Sequence, residues 1–161
     1  ICPNCMAINN IQSQGDTFYC RSCNKDYRIN EYGMIEGCPE FDETVSWNKW
    51  QRSFLPDIIK KGFSFSNHGM LLEERKLESK RGGKKLVTLT FTQEKIIIKY
   101  ENGSSGDIYI DDLSGLSITF LDVMEFFVSG TKYRLTFDPK RHMSIKLFYD
   151  LVIKLKGEKD K

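Results

Sequence analysis

No stretch of this sequence stays apolar for the eighteen or so residues that a membrane-spanning helix needs, and no charged-then-apolar leader resembles a signal peptide. A chain that does not cross a bilayer is expected. Phosphate cradles are missing too: "RGGKK" and "NGSSGD" are too short and wrongly spaced for Gly-x-Gly-x-x-Gly or a P-loop, so they read as glycine-rich turns. The two histidines, His68 and His142, read as surface or packing residues. No nucleophile with a base beside it stands out, which leaves an independent hydrolase without support. The five cysteines do not suggest a disulfide framework, because four of them form two Cys-x-x-Cys pairs, an arrangement suited to a metal site in a reducing compartment.

What is present is enough for folding. The 161 residues, 40% of them apolar, suffice for one domain or two small ones with a real core. Ile1 opens the chain with a candidate metal ligand next to it, which reads as a piece cut from a longer protein. The expected setting is the cytosol, or the cytosolic face of a membrane.

"CPNC" at Cys2 and Cys5 is answered by "CRSC" at Cys20 and Cys23, with fourteen residues between the pairs. Thiolates are soft ligands that favour zinc, and two such knuckles complete a tetrahedron. Between them, "QGDT" reads as a hairpin turn joining strands in "NNIQSQ" and "TFYC", and "KDYRINEY" supplies a third strand. That is a zinc ribbon, expected over residues 1–40. Four cysteines leave no position for water or substrate, so the Zn2+ is expected to be structural. It would supply on the order of 10 kcal/mol to a segment too small for a sizeable core. Met6 and Asn24 stand where ribbons often carry glycine, and a positive φ suits Asn better than Met.

Nucleic acid is not an expected partner. Arg21, Lys25 and Arg28 are outnumbered by Asp16, Asp26, Glu31, Glu36 and Glu40, a formal charge of −2 to which the tetrathiolate centre adds −2 more. Cys38, set among acids in "EGCPEFDE", reads as a small buried hydrophobe and not as a reactive thiol.

Residues 41–62 are expected to be a helical linker, with Asp42 as N-cap, Pro56 as stop and an apolar stripe of Val45, Trp47, Trp50 and Phe54. The two tryptophans suit either a joint between the ribbon and the next domain or an interfacial membrane anchor. From Phe63 the pattern alternates: Val87, Leu89 and Phe91 share one face, Thr88, Thr90 and Thr92 the other, and Ile96, Ile98 and Tyr100 continue the inward set. Turn signals at "TQEK", "ENGSSGD" and "VSGTKY" divide residues 63–137 into about seven antiparallel strands. Ile145, Leu147, Phe148, Leu151, Val152 and Leu155 then form the stripe of a closing helix.

The expected class is α+β, mainly β. Seven strands and a terminal helix over 63–161 resemble the pleckstrin-homology and GRAM superfold, a partly open barrel plugged by its helix. The whole order, a ribbon running through "INEYGMIEG", a helix with "WNKWQ" and a β domain ending in "IKLFYDLVIKL", resembles the C-terminal region of bacterial lysophospholipid acyltransferases, the 1-acyl-sn-glycerol-3-phosphate acyltransferases. The resemblance implies a noncatalytic accessory or regulatory region beside a parent catalytic domain. The family's His-x-x-x-x-Asp pair and its glycerophosphate-binding motif would lie upstream. Here His68 is followed at the matching offset by Glu73 and His142 by Leu147, so no catalytic residue is carried over.

Between the first two strands of the β domain, "EERKLESKRGGKK" sets Arg75, Lys76, Lys80, Arg81, Lys84 and Lys85 against three glutamates, a net +3. At about 1 kcal/mol per net base near an anionic leaflet, such a loop offers roughly 3 kcal/mol. Its readings are a solvated loop or a contact with lipid phosphates. The alternative for the whole chain is a protein- or lipid-binding adaptor module of an unrelated parent.

Overall fold

The computed structural model describes residues 1–76, 82–119, 122–137 and 144–159. Among the described residues the chain is mainly β with three α-helices, and it divides into two compact units, Ile1–Leu55 and Pro56–Lys161. No described helix is long and apolar enough to cross a membrane.

The first unit holds a four-stranded antiparallel sheet in sequence order: β1 (Ile11–Gln14), β2 (Thr17–Cys20), β3 (Asp26–Ile29) and β4 (Ile35–Glu36). The expected hairpin turns at Gly15, whose φ of 60° is open to glycine at little cost. The third strand forms but ends at Ile29. There Asn30 turns the chain, its side-chain oxygen accepting from the amides of Tyr32 and Met34, and the returning residues add β4. Phe18, Tyr27 and Ile35 point inward and are buried with Cys2 and Cys20.

Helix α1 (Thr44–Ser53) belongs to this unit and follows a different cap from the one expected. Glu43, not Asp42, occupies the N-cap, in extended conformation and with no side-chain cap bond to the helix. Pro56 does not stop α1, which ends at Ser53. Proline instead sits in the first turn of α2 (Leu55–Lys61), where its missing N–H would have no helical partner in any case. The expected stripe holds for the aromatic rings. Trp47 stacks on Phe18 at 4.9 Å between centroids, and Trp50 meets Phe41 and Phe54 at 5.1 and 4.9 Å. Val45 departs from the stripe, being 54% exposed.

The second unit carries the seven strands expected of it, in one antiparallel sheet ordered β8-β7-β6-β5-β11-β10-β9. They are β5 (Ser64–Lys76), β6 (Lys84–Thr92), β7 (Lys95–Tyr100), β8 (Ser105–Tyr109), β9 (Ser114–Thr119), β10 (Val123–Val128) and β11 (Thr131–Thr136). The sheet is not closed into a barrel: β8 and β9 are its ends. The β10–β11 turn takes Ser129 and Gly130, both at positive φ, the pairing that matches strand twist. A bulge between Asn67 and Met70, with Gly69 at φ 71°, bends β5.

Alternation predicts the core correctly. Val87, Leu89, Phe91, Ile96 and Ile98 are buried, and Tyr100 packs at the margin. Helix α3 (Ile145–Lys159) sets Ile145, Phe148, Leu151 and Val152 inward, and Phe148 reaches Phe91 with 3.9 Å between ring centroids. Toward the other end of α3, the Lys156 ammonium donates to the carbonyls of Asp111 (3.2 Å) and Leu113, capping the 3₁₀ turn Ile110–Asp112 that precedes β9.

Candidate metal centre

The two knuckles repeat one backbone pattern. In the first, the Cys2 amide donates to the Ala7 carbonyl (3.0 Å) and the Met6 amide to the Cys2 carbonyl (2.9 Å). In the second, Cys20 donates to Lys25 (2.9 Å) and Asn24 to Cys20 (2.7 Å). Closing so tight a loop requires a left-handed residue after the second cysteine, and Met6 and Asn24 supply it at φ 61° and 55°. Strand β2 delivers Cys20 from the sheet, while the first knuckle comes from the segment before β1.

All four Sγ atoms lie within 4.8 Å of one another and can hold a metal ion. A tetrahedral ion bonded to sulfur at about 2.3 Å needs sulfur–sulfur edges of about 3.8 Å. Cys2 and Cys23 are 3.8 Å apart, Cys5 and Cys20 3.6 Å. Two edges of the donor set therefore already match that spacing. Cys2 and Cys20 are fully buried, whereas Cys5 faces solvent.

The thiols share their protons unequally. A hydrogen bond from the Asn4 side chain, with help from the Lys25 amide against desolvation, holds Cys23 down to about 6. At Cys5 the Ala7 amide pulls downward, but desolvation and the neighbouring sulfurs prevail and push it up to about 12. Tyr27 lies beneath Cys2 with its hydroxyl 3.6 Å from the sulfur. Its pKa is raised, first by burial and then by this hydrogen bond to Cys2. The sequence alone marks Tyr27 only as part of a strand. The available signal was its parity with Phe18 across the β2–β3 ladder, which turns both rings inward.

Cys38 is half-buried against the same core and its thiol is 3.4 Å from a Glu40 carboxylate oxygen. Burial pushes its pKa up, consistent with an unreactive side chain. His68 makes a 3.1 Å contact with the Thr88 hydroxyl on an exposed face, and His142 lies outside the described residues.

The basic run is not the loop expected. Glu73 to Lys76 end β5, and Lys84 and Lys85 begin β6. Lys80 and Arg81 lie outside the described residues. Strand alternation sends Arg75 and Lys84 to the face opposite buried Leu72, and Lys76 and Lys85 to the other. Lys85 is engaged there: its ammonium is 3.3 Å from Glu74 and lies 5.2 Å from the centre of the Tyr100 ring, whose hydroxyl donates to the same carboxylate at 2.7 Å. Arg75 and Lys84 line a cleft of 540 Å³. Along that cleft the paired positions read Lys84, Glu73, Arg134 and Glu125 in alternating sign, with Glu125 3.0 Å from Lys132 and 3.7 Å from Arg134. It is a ladder of compensated charges more than a cationic cradle.

No family model and no curated protein matches this chain. One similar solved structure is the C-terminal domain of an unknown protein from Leishmania infantum. It is 13% identical over 68% of this chain and 96% of that one, with a TM-score of 0.37.

Proposed function

We propose that this chain is a noncatalytic accessory region, a ribbon held by structural zinc joined to a pleckstrin-homology-like β unit, in a bacterial acyltransferase of phospholipid synthesis. The observation that carries the noncatalytic part is the closed donor set. Four sulfurs within 4.8 Å of one another would take every position of a tetrahedral ion, leaving none for water or substrate. Sulfur-only ligation favours zinc over harder ions, and the burial of two of the four sulfurs suits a metal that replaces a core. The acyltransferase parent rests on the resemblance of ribbon, tryptophan helix and β unit in that order. In this reading the region packs on, positions or regulates the catalytic domain at the cytosolic membrane face.

Elemental analysis of the purified chain tests the metal: one zinc per chain is expected, and iron or no metal would overturn the ribbon reading. Deleting the region from the parent tests the rest. Acyl transfer, membrane placement or parent stability should fall, and no change in any of them would count against an accessory role there. A second reading, a protein-binding module of another parent, draws on Tyr32. It is 80% exposed on a turn that Asn30 holds rigidly, an arrangement that suits recognition.

A further inference from the structure

Tyr27 is a tyrosine where a phenylalanine would pack equally well. Its ring is 2% exposed and packs with Phe18 (5.2 Å, nearly parallel) and Trp47 (6.1 Å), which also stack on each other. A hydroxyl in so apolar a site must be hydrogen-bonded or it weakens the fold. The Cys2 sulfur lies 3.6 Å from this oxygen, within hydrogen-bonding reach. Between the two, the hydroxyl donates and the sulfur accepts once Cys2 is bound to the metal. A metal-bound thiolate carries no proton, which fixes that direction.

We propose that Tyr27 is an outer-sphere positioning residue of the metal centre, donating its hydroxyl to the Cys2 thiolate and thereby favouring the loaded state over the empty one. This rests on the reading that the four cysteines hold zinc. Four thiolates leave the centre with a formal charge of −2, buried on the Cys2 and Cys20 side. A donor aimed at one of those sulfurs disperses that charge where water cannot. Helix α1 keeps water out: Trp47 covers the ring, and Gln51 donates to the carbonyl of Ile1, next to Cys2, at 3.0 Å. The ring is thus joined, through Cys2, to the first knuckle and to the ion.

The test compares zinc affinity of the whole chain and Tyr27→Phe by competition with a chromophoric chelator. Losing an outer-shell donor should weaken binding roughly ten- to a hundredfold. Replacing zinc with cobalt should place the sulfur-to-metal charge-transfer band of the variant at lower energy, because the freed thiolate is the better electron donor. Equal affinity and an unshifted band would overturn the proposal while leaving the zinc reading intact. Failure of the wild type to bind zinc would overturn both. Should the variant not fold, cadmium-113-loaded wild type decides: a slowly exchanging Tyr27 hydroxyl proton coupled to cadmium supports the bond, and its absence rejects it.

Discussion

Met6 and Asn24 hold the same left-handed backbone, φ 61° and 55°, at matching places in two knuckles whose hydrogen bonds also match. They do so at different cost. An L-residue at positive φ loses roughly 1–2 kcal/mol, Asn less than most, while glycine loses about 0.5–1 kcal/mol of chain entropy. Met6→Gly should therefore stabilise the zinc-loaded first unit by up to about 1 kcal/mol, and Asn24→Gly should leave it nearly unchanged. Chelator-dependent thermal melts of both variants measure the difference.

Removing the ion should affect one unit selectively. Chelation, or Cys20→Ser at the fully buried ligand, withdraws on the order of 10 kcal/mol from a segment with few other buried residues. Circular dichroism should then show loss of the ribbon and a preserved transition of the β unit. A single melt that disappears as a whole would mean that the two units do not fold independently.

Trp47 and Val45 lie two residues apart on α1 with opposite fates. Trp47 stacks on Phe18, so Trp47→Ala should cost about 3–5 kcal/mol, whereas Val45→Ala at an exposed site should stay within about 0.5 kcal/mol. Denaturant midpoints of the zinc-loaded first unit give both numbers.

Alkali should weaken the β unit. The Tyr100 pKa is raised, first by burial and then by the hydrogen bond to Glu74. The contribution is whole below tyrosine's ordinary value of about 10 and falls as pH rises past it, because the unfolded chain ionises first. Urea midpoints taken upward from pH 9 should decline, and Tyr100→Phe should decline less steeply.

Binding to anionic vesicles should be weaker than the roughly 3 kcal/mol that a net +3 loop would offer. Lys85 is engaged by Glu74, and the remaining strand-borne cations divide between two faces. Any binding should vanish as salt rises through the screening range and in the variant replacing Lys80, Arg81, Lys84 and Lys85 by Ser. Vesicle co-sedimentation reads this directly. Tight, salt-resistant binding would mean that another surface carries it.

The sequence made the knuckles legible because ligand chemistry permits few residue types at few spacings, and it made the β core legible because Val87, Leu89 and Phe91 alternate cleanly with threonines. It concealed the end of β5. "EERK" has the composition of a loop, yet its backbone pairs with β11 throughout and, at Glu73, with β6 as well, since ladder bonds need no apolar side chains. Tyr27 was concealed for another reason: its partner, Cys2, lies 25 residues earlier in the chain, and only the folded ladder brings them together. Pro56 misled because proline ends one helix or starts the next, and the choice depends on where the preceding turn closes.

The order of the larger sheet has a consequence for synthesis. β5 is the first strand of its unit to be made, yet it takes the centre, between β6 and β11. One edge is paired at once by the following hairpin. The other waits until all of β6 through β10 has emerged, so a growing chain carries an open backbone template alongside inward-facing Met70 and Leu72. Completion of the last strand, more than the number of residues already made, is what covers that central template.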